Sequence, residues 1–287
     1  MDQRIIDLYD EYSKGLLDRR EFIKKLAIIT GSVSTANIIL SQLENKDANA
    51  EVIKEDGPRI HEENIKYEGE TGEVSAYFAK PKEEDEKLPG VVVIHENRGL
   101  NPHIKDVTRR VASEGFLAIA PDALSPLGGT PDDANEARTL IQKLDNKKTI
   151  KNYIAAVEYL KTHPQSTGNV GCIGFCWGGG MANQLAVNSA DLKAAVPFYG
   201  MQPAVEDVPK IKASLLIHYA SNDERINAGI SAFEEALKKA SIDYKIYIYE
   251  GTQHAFFNDT NADRYNKEAA ELAWKRTIEF LKEKLKT

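Results

Sequence analysis

From about residue 58 to the C-terminus, short apolar runs alternate with stretches whose apolar residues recur every three or four positions. Residues 90–95, Gly-Val-Val-Val-Ile-His, form a continuous apolar run, the mark of a strand buried on both faces. Residues 116–120, 170–175, 194–199, 214–219 and 244–249 are further predicted strands. Residues 74–80 alternate in part and run into Pro81, as an outer strand would. Between the strands, Val107 and Val111 mark one helix, opened by Asn101 as cap with Pro102 at the first helical position. Two helical segments follow the strand at 116–120; in the second, Ile150, Ile154, Val157 and Leu160 keep the helical period. Ile230, Phe233 and Leu237 mark another helix, and Trp274, Ile278, Leu281 and Leu285 share one face of a terminal one. Strands alternating with helices predict an α/β fold, a doubly wound, mostly parallel sheet with helices on both faces. Sites in such sheets form at the carboxyl ends of the strands.

The first fifty residues do not continue this pattern. Arg19-Arg20 precede a moderately apolar stretch from Leu26 to Leu40, and Ala48-Asn49-Ala50 supplies a small-x-small site. This resembles a twin-arginine export signal cleaved after Ala50, with a periplasmic or extracellular destination. An amphipathic helical extension retained in a cytoplasmic protein fits the same residues. The expected division is therefore 1–50 for the signal or extension and 51–287 for the α/β domain. Composition narrows the function. A net charge of −7 argues against a general nucleic-acid binder, and no run of about 18 apolar residues suggests a membrane span. Oligomeric state is left open. The two cysteines, Cys172 and Cys176, lie in strand-then-turn context and match neither a disulfide nor a C-x-x-C motif.

The chemistry centres on Gly174-Phe175-Cys176-Trp177-Gly178. A strand, a sharp turn and a helix start around G-x-nucleophile-x-G make a nucleophile elbow, here with cysteine in the usual serine place. The pentad alone is a weak signal; its strand-turn-helix context strengthens it. The helix N-terminus favours an anion. A thiol with an ordinary pKa of about 8.5 needs a base, and His254, after the strand at 244–249, is the best placed of the six histidines. His95 and His218 lie near strand ends and read as core histidines. Asp223 follows the strand at 214–219 and would orient the base, with Glu224 as the neighbouring alternative. The chain order nucleophile, acid, base is that of an α/β-hydrolase. One oxyanion donor would be the Trp177 N–H, the other a backbone N–H in the loop 96–101.

With these residues assembled, 60–285 resembles the dienelactone hydrolase family. The resemblance rests on Glu96-x-x-Gly99-Leu100-Asn101, Gly174-Phe-Cys176-Trp-Gly-Gly, Asp223 and Gly251-x-x-His254-x-Phe256. It implies a Cys176–His254–Asp223 triad, with Glu96 contacting the resting thiol and the Asn97 N–H as second oxyanion donor. It implies hydrolysis of a small ester or lactone through an acyl-enzyme, without metal or cofactor. A thioesterase or broad carboxylesterase would use the same triad; an exported binding or redox-sensing protein is the non-enzymatic alternative. Asn258 stands where the family archetype has a carboxylate-binding arginine, so a neutral substrate is expected unless Arg98 substitutes. Tyr199, Trp177, Phe256 and Phe257 are candidates for an apolar pocket lining.

Overall fold

The structure, a computed structural model, describes residues 59–82 and 86–285, and in the first fifty residues positions 4, 5, 8, 17, 19–33, 35, 36 and 39. Two compact units result: residues 1–50 with Asp259–Asp263, and Glu51–Asn258 with Arg264–Thr287. In the smaller unit the twin arginines open helix α1 (Arg19–Thr30). Its apolar residues Phe22 and Leu26 are buried in a cluster with Ile5, Leu8 and Ala36. The small-x-small site at Ala50 lies outside the described residues.

The larger unit is built on one eight-stranded sheet, in the order β1-β2-β4-β3-β5-β6-β7-β8. The strands are β1 (Ile60–Gly69), β2 (Gly72–Pro81), β3 (Leu88–Ile94), β4 (Leu117–Pro121), β5 (Ser166–Phe175), β6 (Leu192–Phe198), β7 (Ser214–Asn222) and β8 (Tyr244–Gln253). β1 and β2 are antiparallel to each other, and β2 to β4; every other pairing is parallel. The predicted outer strand is thus β2, but it is not outermost. β1 covers it and was not predicted, because it exposes His61 and Glu63 on one face and Lys66 and Glu68 on the other and so breaks apolar alternation. Such a charged edge also discourages pairing with other chains.

Helices cover both faces. α2 (Pro102–Ser113) starts as its residues require: the Asn101 side chain accepts from the Ile104 N–H, and Pro102 fills a position whose N–H would be unpaired. Val107 and Val111 then face the sheet with the terminal helix α8 (Lys267–Leu285). The opposite face is covered by α4 (Asn146–Thr162), α5 (Trp177–Asn188) and α7 (Ile230–Lys239). A short α3 (Ala134–Ile141) precedes α4, and a single turn, α6 (Glu224–Asn227), follows β7. The buried strands β3 and β4 are apolar throughout and carry helices on both sides. They hold the carboxyl ends of β3, β5, β7 and β8 as a fixed rim.

Candidate active site

The chain leaves β5 through a forced turn. Cys176 has φ 56° and ψ −114°, a conformation in which a side chain is strained. The turn persists because the surroundings admit no other path. A Cβ on Gly174 would stand 2.0 Å from the Gly178 carbonyl oxygen, and one on Gly178 would stand 2.4 Å from the carbonyls of Ile94 and His95. The two glycines let β3, β5 and α5 close to backbone contact. The Cys176 N–H donates to the Phe198 carbonyl (3.0 Å) and its own carbonyl accepts from Gly180 (3.2 Å), so the thiol projects from the helix N-terminus.

His254 follows β8 directly, and its ring nitrogens face two partners. Nδ1 lies 2.5 Å from Asp223 Oδ2, and Nε2 lies 3.0 Å from Cys176 Sγ. A carboxylate only accepts, so Nδ1 carries the proton and Nε2 is left to accept from the thiol. Asp223 is held at the end of β7 by the turn of α6. Its carbonyl accepts from the N–H groups of Ile226 and Asn227, and the Asn227 amide donates to the carbonyls of Ala220 and Ser221. Glu224, the neighbouring alternative, is exposed, and the carboxylate on His254 is that of Asp223.

The thiol is pushed up to about 11, first by burial and then by the negative charge of Glu96. The Trp177 N–H, which hydrogen-bonds the sulfur, and the Arg225 charge act the other way. Cys176 is therefore a neutral thiol at neutral pH. Its neighbour Cys172 is fully buried and pushed up to about 12; both cysteines are free.

Glu96 is buried, but its carboxylate does not bond the thiol as the resemblance implies. It accepts from Asn258 Nδ2 at 2.6 Å and acts on the sulfur through space. Asn258 is thereby engaged by Glu96 and does not line the cavity that Cys176 opens onto. The structure places the other residues expected at the substrate as follows. Tyr199 and Phe256 are fully buried and pack edge-on to each other, the Tyr199 ring 5.0 Å from that of His254. They support the base from the core. Arg98 sits half-buried one residue beyond Asn97 and also does not line the cavity, while Phe257 stacks on Phe175 in the core. Trp177 does line it, as expected.

The loop after β3 is rigidly held. Thr130 accepts from the Leu100 N–H and donates to Asp122, and the Glu96 carbonyl accepts from Gly99. His95 completes the arrangement. Its Nε2 accepts from the Ala123 N–H (3.2 Å), so its Nδ1 carries the proton and donates to the Glu96 carbonyl at 2.6 Å. That carbonyl belongs to the peptide whose other end is the Asn97 N–H. The His95 ring also stacks on Trp177, with centroids 5.4 Å apart. Burial pushes the imidazole down, so it stays neutral. A core histidine was expected; that it fixes the peptide in front of the thiol was not, because nothing in a strand-end His announces which carbonyl it meets. His218 is likewise a core group, held between Tyr249 and Thr277.

Asn97, Cys176 and Trp177 together open onto a cavity of about 1040 Å³. The arrangement offers a thiol, a histidine with a fixed tautomer in contact with it, and the Trp177 N–H at the sulfur.

Known proteins share this architecture. A dienelactone hydrolase family profile matches residues 74–285, and a YqhI-like profile matches residues 1–32. A "Putative carboxymethylenebutenolidase" of Saccharolobus solfataricus is 35% identical, over 77% of this chain and 98% of its own. The "Putative Dienelactone Hydrolase from Klebsiella pneumoniae" superposes with a TM-score of 0.70 at 28% identity, covering 77% of this chain and 97% of that one. A dienelactone hydrolase-like promiscuous phosphotriesterase, P91, from metagenomic libraries superposes with a TM-score of 0.72 at 25% identity, over 79% and 99%. This chain belongs to the dienelactone hydrolase family and is a hydrolase of that type.

Proposed function

We propose that the chain hydrolyses an ester or lactone through a thioester on Cys176, with His254 as base and Asp223 orienting it. The observation that carries this reading is the unbroken contact from Asp223 Oδ2 through His254 to Cys176 Sγ, 2.5 and 3.0 Å long, facing an open cavity. The raised thiol supports one order of events. A sulfur that is neutral at rest must lose its proton to His254 Nε2 as it attacks the carbonyl carbon. The oxygen that gains the electron pair is met by the N–H groups of Trp177 and Asn97. When the carbonyl re-forms, the alcohol leaves and takes the proton from Nε2. Water then attacks the thioester, gives its proton to the same nitrogen, and the acid departs as sulfur recovers it. Burial, with the charge of Glu96 added to it, keeps the resting thiol protonated, which also protects it from oxidation.

Among acyl substrates, the naming of the relatives favours lactones; a thioesterase or broad carboxylesterase would run the same steps. A panel of lactones, aryl esters and thioesters, given to wild type and Cys176→Ala, decides both points. The reading requires turnover that is lost in folded Cys176→Ala. Turnover that survives in that variant would overturn it. For the N-terminal segment, the twin arginines support export, while the buried cluster around Phe22 and Leu26 supports a retained helical unit. Sequencing the N-terminus of the chain recovered from its source cells separates the two.

A further inference from the structure

The cavity beside Cys176 is large for a small lactone, and its charge runs against that of the chain. Five cationic residues line it, Arg138, Lys147, Lys151, Lys210 and Arg225, against one carboxylate, Asp207. The chain as a whole carries −7, so this excess is local and does not follow from composition. Lys151 pairs with Glu70 (2.8 Å) and Lys210 with Asp207 (2.6 Å). Among the described residues, no ion pair engages Arg138, Lys147 or Arg225.

The helices explain how this cluster arises. Asn146, Lys147, Ile150, Lys151 and Ile154 fall on one face of α4, so two lysines one turn apart flank two isoleucines. Met181 and Val187 of α5 supply further apolar lining. Arg138 stands in the last turn of α3 and Lys147 in the first turn of α4, on either side of the short connection between them. Arg225, in the turn that follows Asp223, lines the cavity with Cys176, and its charge acts on the sulfur. An apolar wall with a cationic rim suits a molecule that is itself amphipathic. Guanidinium groups without carboxylate partners suit oxyanions, which they can bind in bidentate fashion.

We infer that this cavity takes an ester or thioester with an apolar acyl part and a distal, multiply charged anionic group, a phosphate or a polycarboxylate, held by Arg138 and Lys147. The inference rests on the hydrolase reading of Cys176 and names its substrate class. It reverses the neutral preference expected from Asn258, because Asn258 is committed to Glu96 and does not meet the cavity.

The test uses the full chain and three aryl esters with the same leaving group and acyl chains of matched length, ending in a methyl group, a dicarboxylate and a phosphate monoester. In wild type, kcat/KM for a charged substrate relative to the neutral one is expected to be about ten-fold or more in its favour at low salt. It is expected to shrink as salt screens it. In Arg138→Gln/Lys147→Gln the ratio is expected to fall about ten-fold, and in Lys193→Gln, an exposed lysine absent from the cavity lining, to stay. The charged substrate that wins separates carboxylate from phosphate. A ratio near one in wild type, or a ratio that survives the double substitution, overturns the inference. Calorimetry with pyrophosphate and with citrate keeps the two readings apart. If no substrate is turned over, the hydrolase reading fails. Binding of either anion that weakens about ten-fold in the double variant would then still sustain the anion site, and no binding of either would refute it.

Discussion

Cys176 differs from the buried Cys172 in two respects: it has a left-handed backbone, and its thiol, raised to about 11, feels the charge of Glu96 as well as burial. Each has a partner that explains it, the elbow for the first, burial and Glu96 for the second. The charge of Glu96 disfavours the thiolate, so removing it must lower the thiol's titration. Glu96→Gln keeps an oxygen for Asn258 to donate to and deletes only the charge. Alkylation of the thiol by iodoacetamide at about pH 8 is therefore expected to speed up by several-fold in Glu96→Gln, with its midpoint moved down in pH. An unchanged or raised midpoint would remove Glu96 from the account. His254 and Asp223 act on the same proton. His254→Ala and Asp223→Asn are each expected to cost on the order of a thousand-fold or more in kcat, and the double variant little beyond the worse single one. Losses that multiply in the double variant would mean separate roles. At this scale the sequence showed the residue types and their chain order, which is why Cys176, His254 and Asp223 were legible. It did not show which side chains pair behind them. Asn258 looked like a lost substrate contact and is a clamp on Glu96, because a position shared with an archetype does not specify direction.

The elbow is the element on which the site depends. Strand β5, helix α5 and the end of β3 approach so closely that side chains are excluded at Gly174 and Gly178. Gly174→Ala would place a methyl group 2.0 Å from the Gly178 carbonyl oxygen, against backbone that cannot swing aside and 3.0 Å from the Ala182 methyl. Overpacking of this kind costs about 1–3 kcal/mol. Urea denaturation of Gly174→Ala is expected to show a loss of that size or larger together with lost activity. A stable, active variant would mean that the turn has room. Elements with continuous apolar runs were legible because burial on both faces leaves a compositional mark, as in β3 and β4. β1 was not, since an edge strand can be charged and still satisfy its hydrogen bonds. The face of α4 that lines the cavity was half legible: its isoleucines keep the helical period, but period alone does not distinguish core from the wall of a cavity.

At the scale of the molecule, the topology brings residues 96, 176, 223 and 254 to one edge of a sheet whose strands end there, and the same edge opens onto the cavity. Fold class was readable from alternation of strand and helix; the cavity was not, since its lining comes from α3, α4, α5 and α6 and from the turn at Val205–Lys210, segments far apart in the chain. The central claim is that Cys176 becomes acylated during turnover. The most direct measurement is mass analysis of acid-quenched protein after mixing with an aryl ester, with fragment ions that separate Cys176 from Cys172 on the same peptide. One acyl group is expected on Cys176, none on the buried Cys172, and no adduct in Cys176→Ala. Turnover of the ester with Cys176 unmodified throughout, or equal turnover by Cys176→Ala, would contradict it.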